Sequence, residues 1–218
     1  MGRGSWWSFS IAAWLIAQAP GPTGSGPTVL TVDAADSHVV VQVGKAGLFG
    51  FAGHAHEVAA TDVHGRVEVD PADLSRASVS LEFAAAALRV TGKGEPPADV
   101  VEVQKVMQSE QVLDVRQFPT IVFSSRRVSV TARTAGTADV VIEGDMTLHG
   151  TTRPMTIRAS VILDAGGRLT ARGSFVLKQT DFGMEPVTAA GGTIRVKDEI
   201  DVQFVLSARP SGDTRTAR

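Results

Sequence analysis

Apolar and polar residues alternate along most of the chain between Thr28 and Ala208. The pattern is clearest near the C-terminal end, where one side of a predicted strand carries Ile194, Val196, Ile200, Val202, Phe204 and Leu206. Neighbouring residues of a β-strand point to opposite faces, so this period of two predicts strands with one buried face. The predicted strands are residues 29–33, 37–43, 57–60, 63–69, 78–83, 120–125, 127–133, 139–148, 155–163, 168–178 and 193–208.

The period changes between Pro97 and Leu113, where apolar residues recur with helical spacing at Val100, Val103, Val106 and Met107. The connections between the later strands are short, which implies antiparallel neighbours. We therefore predict an all-β fold. It is an antiparallel β-barrel of about eight strands, with one short α-helix between strands that lies across an opening or a side of the barrel.

The inner face of the predicted barrel mixes large apolar residues with small ones. Gly144 and Gly173 interrupt rows of Val, Ile, Leu, Met and Phe, and we expect them to leave unfilled volume. An eight-stranded barrel is either packed solid or holds one slender ligand, and the pattern alone leaves both open. An apolar interior would take up a hydrocarbon chain, which a few polar groups at the mouth would orient.

The amino-acid composition limits the classes of function that the protein could have. The 218 residues suit one all-β domain with short extensions, and the net charge of -2 gives no electrostatic case for nucleic acid. The chain has no cysteine, which excludes disulfides, thiolate metal sites and cysteine nucleophiles.

Catalytic motifs do not stand out. The chain carries no G-x-S-x-G sequence, and Gly92-Lys93-Gly94 matches neither a phosphate loop nor a dinucleotide fingerprint. Asp181 and Glu185 could form a carboxylate pair, but we interpret Asp181 as the cap of a turn. The sequence thus predicts a protein that is not an enzyme and has no cofactor.

The two ends of the chain differ from its middle. Residues 1–19 combine Arg3 with an apolar stretch that ends in Ala17-Gln18-Ala19, which we interpret as a signal peptide or an N-terminal membrane tether. Residues 20–27 are interpreted as a flexible linker and residues 209–218 as a disordered tail. The barrel domain is assigned to residues 28–208, and we expect a periplasmic or secreted protein.

Five segments resemble the YceI-like polyisoprenoid-binding family, in the order in which that family has them. They are FAGHAHEV (51–58), FPTIVFSS (118–125), GDMTLHGTTRPMTI (144–157), QTDFGMEP (179–186) and GGTIRVKDEIDVQFVL (191–206). The resemblance covers nearly all of the predicted domain. It implies an extended lipocalin-like barrel in the bacterial cell envelope that binds an isoprenoid or other amphipathic chain without catalysis.

The predicted ligand contacts are chosen from the alternate strand positions that should face inward, together with this resemblance. They are Phe51, Phe123, Met146, Leu148, Phe175 and Phe182. The predicted partner is an isoprenoid or lipid-like small molecule. Peripheral association with a membrane and a homodimer are left open.

Two other functions are weighed against lipid binding. His54 and His56 share a face of a strand and could bind a metal or build an enzyme site, with His38, Glu57 or His149 as a further ligand. The simpler interpretation is that these histidines bond to backbone groups and shape the barrel mouth, and that His149 is a turn residue. The third hypothesis is a filled barrel that acts as an interaction module of the envelope.

Overall fold

The structure is a computed structural model that describes residues 26–46, 56–93, 95–134, 136–189 and 194–211. Within these residues the chain forms twelve strands and one α-helix. In chain order they are β1 (Thr28–Val32), β2 (His38–Ala46), β3 (His56–Ala60), β4 (Val63–Val69), β5 (Ser78–Ala84), β6 (Leu88–Val90), α1 (Pro97–Gln108), β7 (Thr120–Thr134), β8 (Thr137–Leu148), β9 (Thr151–Leu163), β10 (Leu169–Lys178), β11 (Thr188–Ala189) and β12 (Ile194–Pro210).

Eight strands close into an antiparallel barrel in the order β1-β4-β5-β7-β8-β9-β10-β12, and β12 pairs with β1 to complete the ring. The predicted all-β antiparallel barrel with one short helix is confirmed. Closure matters because a closed barrel leaves no free strand edge along the ring. The apolar faces of the strands point inward and form a single core.

The strands β2, β3 and β6 extend the sheet beyond the ring. β12 pairs with β1 through residues 208–210 and with β2 through residues 195–205, so one edge of β12 serves two strands. Between β1 and β2 the chain turns through Ala34–Asp36. The hydroxyl of Ser37, which is 1% exposed, accepts a hydrogen bond from the backbone N–H of Ser207 at 3.0 Å. This bond holds the chain where the sheet divides.

The helix α1 is docked on the outer edge of β6 by side-chain amides. Oε1 of Gln104 accepts from the N–H of Val90 at 2.8 Å, and Nε2 of Gln104 donates to the carbonyl of Leu88 at 3.0 Å. Gln108 donates to the carbonyl of Ala86 at 3.0 Å. These bonds matter because no residue of α1 is fully buried.

The predicted apolar stripe of α1 faces the barrel. Val100, Val103 and Met107 pack against the core, whereas Val101 on the other side is 70% exposed. α1 ends at Gln108, earlier than the apolar spacing suggested, and Leu113 is buried in the turns that follow it. No helix in the described part of the chain is long and apolar enough to cross a membrane.

Several strand boundaries differ from those predicted. β7 is one strand with two bulges instead of two strands, because a bulge lets the alternation slip without ending the pairing. β9 begins four residues early and includes Pro154, which is tolerated because β9 pairs with β10 only from Arg158 onward. β12 continues through Arg209 and Pro210 to pair with β1.

The expectation that inner-face glycines leave empty space is wrong. A Cβ at Gly144 would lie 2.7 Å from the ring of Phe123, and one at Gly173 would lie 2.7 Å from the ring of Phe204. Aromatic rings from the neighbouring strands therefore cover these glycines. Small and large residues complement each other across adjacent strands, so the glycines are packing positions.

We expect Gly173→Ala to destabilise the protein by about 1–3 kcal/mol, because the added methyl group would overpack the Phe204 ring and approach the carbonyl of Arg158. Urea unfolding measures the effect. Gly44→Ala is the control, since a Cβ there would meet only the flexible side chain of Lys197, at 3.0 Å. An equal loss of stability in both variants would contradict the packing role of Gly173.

Candidate functional site: an apolar lumen

The barrel encloses a cavity of about 250 Å³. Its walls come from the strands of the ring, from β2, β3 and β6, and from α1 and the segment that follows it. Among the described residues that form these walls, Gln179 is the one polar residue. An engineered apolar cavity of roughly 150 Å³ already binds benzene. The lumen of this protein therefore has room for part of a hydrocarbon chain, and its walls would not compete with that chain through polar groups.

The predicted ligand contacts fall into three groups. Phe123, Met146, Leu148 and Phe175 line the cavity. Phe182 is fully buried, but it is not one of the lining residues. Phe51 lies outside the described residues. Whether any of these side chains touches a ligand remains a prediction.

Sequence reasoning did not single out several wall residues. Met107 of α1 and Leu113 in the turns after α1 both line the cavity. Gln179 also lines it, one residue beyond the end of β10. Extending the inward row of Phe175 and Leu177 by one more step of two would have reached Gln179, so the signal was present.

The corner that carries Gln179 is held by Asp198. The backbone N–H and the hydroxyl of Thr180 both donate to the Asp198 carboxylate, at 2.9 and 2.8 Å. The bond from the backbone N–H of Thr180, together with that from its hydroxyl, lowers the pKa of Asp198. Gln179 donates through Nε2 to the carbonyl of Lys197 at 2.8 Å.

The interpretation of Asp181 as the cap of this corner is wrong. In the structure Asp198 is the cap, and Asp181 contributes its backbone carbonyl, which accepts from Nε of Arg153 at 2.6 Å. The correct cap could not be read locally because Asp198 lies on β12, 18 residues from Thr180. His149 is the turn residue that was predicted: it has a φ of 49° and its Nδ1 donates to the carbonyl of Phe182 at 3.3 Å.

Strand register places His56 at the same end of the lumen as Gln179. Leu177 pairs with Ile200, Ile200 pairs with Val43, and Val43 pairs with His56. Leu177, Ile200 and Val43 line the cavity. The polar residue of the wall and the histidine of β3 therefore belong to one rim of the barrel.

His56 is paired with a carboxylate. Its Nδ1 lies 2.8 Å from Oε2 of Glu95, and the two side chains are 15% and 1% exposed. His54 lies outside the described residues. Within the described ranges, no three His, Cys, Asp or Glu side chains come together in a way that could hold a metal ion.

Comparison with known proteins identifies a family for this chain. The profile of a family described as "YceI-like domain" matches residues 30–208. A UPF0312 protein of Pseudomonas savastanoi is 34% identical over 108 residues, which are 47% of this chain and 52% of that protein. A UPF0312 protein of Pseudomonas aeruginosa is 35% identical over 89 residues, covering 38% of this chain and 44% of that protein. The chain thus spans about half the length of the curated relatives it matches.

Solved structures share the architecture at low sequence identity. BcnA of Burkholderia cenocepacia has a TM-score of 0.63 and 18% identity, covering 81% of this chain and 98% of its own. A polyisoprenoid binding domain from Saccharophagus degradans has a TM-score of 0.62 and 11% identity, covering 84% and 99%. The Campylobacter jejuni YceI protein has a TM-score of 0.55 and 14% identity, covering 71% and 84%. At these identities the likeness establishes the fold.

The lowered pKa of Asp198 predicts a change in stability under acidic conditions. A depressed pKa in the folded state stabilises the fold above the ordinary value of 3.8, and this contribution is lost as the pH falls through the lower folded value. We expect Asp198→Asn to cost about 0.5 kcal/mol at neutral pH after solvent screening, and to flatten the acid limb of the stability curve below pH 3.8.

Urea unfolding across the acid range measures this slope. Asp181→Asn is the matched control, because the side chain of Asp181 is not the cap. If Asp181→Asn flattened the acid limb and Asp198→Asn left it unchanged, the assignment of Asp198 as the cap would be wrong.

Proposed function

Because the chain belongs to the YceI-like family, we propose that it binds a polyisoprenoid or other lipid-like amphiphile inside its lumen and does no chemistry on it. The observation that carries the proposal is the almost entirely apolar wall around a cavity of about 250 Å³. Such a wall favours a guest that is mostly hydrocarbon.

The energetics favour a chain-like ligand. Each methylene group moved out of water contributes about 0.8 kcal/mol, so a few isoprene units supply more than the cost of ordering the ligand. Within the described part of the lining, Gln179 is the one polar side chain, which suits a ligand with a small head and a long apolar tail. The Saccharophagus degradans domain, described as polyisoprenoid-binding, supports the same ligand class.

We propose that the protein acts in the cell envelope, as a periplasmic or secreted binder. The support is the apolar N-terminal stretch with Ala17-Gln18-Ala19, which has the composition of an export signal. A carrier that shields a hydrocarbon chain from water is useful in such an aqueous compartment between membranes.

Phe175→Asp should abolish co-purification of lipid, because it places a charge in the lumen beside Phe204, whose ring centroid lies 6.4 Å from that of Phe175. Organic extraction of the purified protein followed by mass spectrometry measures the lipid content. Val176→Asp is the control, since Val176 lies on the same strand, faces outward and is 52% exposed.

A second variant covers the case in which Phe175→Asp does not fold. Ala171→Phe adds an apolar ring to the cavity wall, so it fills the lumen without introducing charge. We expect a folded protein with strongly reduced lipid content. Unchanged lipid content in folded Phe175→Asp or Ala171→Phe would count against binding in the lumen.

A further inference from the structure

A buried carboxylate lies at the rim of the lumen, and the binding of a hydrocarbon chain makes no use of it. The side chain of Glu95 is 1% exposed. Its Oε2 accepts a hydrogen bond from Nδ1 of His56 at 2.8 Å, whereas its Oε1 is buried and has no hydrogen-bond partner among the described residues. A buried polar atom without a partner destabilises the fold, and more so when the group is charged, so this oxygen calls for an explanation.

The local fold carries Glu95 over the inner face of β3. β6 pairs with β3 up to Val90, and the N–H of Thr91 still donates to the carbonyl of Glu57 at 2.9 Å. The chain then turns at Gly92, which has a φ of 72°, and the N–H of Glu95 bonds to the carbonyl of Gly92 at 3.1 Å. This tight turn folds the carboxylate back onto His56.

His56 belongs to the lumen side of β3. Val58 and Ala60 follow it at intervals of two, and both line the cavity. Val43, which pairs with His56, lines the cavity as well. Strand register therefore places the pair of His56 and Glu95 beside the end of the lumen that carries Gln179, although neither residue is among those that line the cavity.

The neighbouring carboxylate behaves differently. Glu57 lies on the opposite face of β3, where Gln42 donates to its Oε2 at 2.8 Å and Thr91 donates to its Oε1 at 3.1 Å. Nζ of Lys93 lies 3.7 Å from Oε2 of Glu57. Both oxygens of Glu57 thus have protein partners, whereas Oε1 of Glu95 has none among the described residues.

We propose that Oε1 of Glu95 accepts a hydrogen bond from an uncharged hydroxyl group at the head of the bound amphiphile. The ligand then lies with its hydroxyl beside Glu95 and Gln179, and with its tail toward the end of the lumen where Leu169 pairs with Ala208. A hydroxyl suits this place because it donates one hydrogen bond, whereas an anionic head would meet the carboxylate and any charge would lose its hydration. This inference rests on the proposed binding of a lipid-like amphiphile.

The test compares two ligands that share a chain and differ in their head. Farnesol donates a hydrogen bond, and farnesyl methyl ether does not. Competition against a fluorescent fatty probe gives both affinities. We expect the wild-type protein to prefer farnesol about tenfold, the value of one hydrogen bond to a charged group.

Variants at position 95 locate the origin of this preference. In Glu95→Leu the preference should fall to about one, with the affinity for the ether unchanged within about twofold. Glu95→Gln keeps a neutral acceptor oxygen, so its preference should lie between the two. Glu57→Gln is the matched control on the outer face of the same strand, and it should keep the wild-type preference.

The outcomes separate the two proposals. Equal affinity of the wild-type protein for both ligands would overturn the role of Glu95 and leave lipid binding intact. An equal loss of affinity for both ligands in Glu95→Leu would show that Glu95 only supports the fold of the rim. Failure of the wild-type protein to bind either ligand would overturn lipid binding itself.

Discussion

The edge of β12 is divided between two partner strands, and the shape of the barrel depends on this division. Residues 208–210 of β12 pair with β1 and close the ring, whereas residues 195–205 pair with β2 and continue the sheet into β3 and β6. The buried bond between Ser37 and Ser207 holds the point of divergence. Near residues 208–210 backbone pairing thus closes the sheet into a ring, whereas farther along β12 the sheet continues into the shorter strands, with α1 docked on the edge of β6.

The division also explains where the polar groups lie. A closed ring with inward apolar rows gives a lumen whose described lining is apolar along most of its length. At one end the strands stop, and turns take their place. Gln179 lines the cavity at this end, and strand register places His56, with its partner Glu95, beside it. The two ends of the lumen therefore differ: one is apolar, and the other has polar side chains beside it.

The cavity has a different origin from the one that the glycine pattern suggested. The rings of Phe123 and Phe204 lie over Gly144 and Gly173, so the small residues are filled positions. The empty volume remains because an eight-stranded ring is wide and its middle is not crossed by side chains. The pattern of small and large residues reflects how side chains of neighbouring strands pack against each other. It does not indicate how much empty volume the ring encloses.

The sequence alone determined most of the strands, the one helix and the inward side of the main rows, because alternation and helical spacing are properties of adjacent residues. Phe123, Met146, Leu148 and Phe175 could be assigned to the wall for that reason. The short strands β6 and β11 and several strand boundaries were not predicted. Only the tertiary structure decided which strand shares the edge of β12, that Asp198 and not Asp181 caps the corner, and that Glu95 meets His56. Each of these contacts joins residues far apart in the chain, so it depends on register and turn geometry that no local pattern encodes.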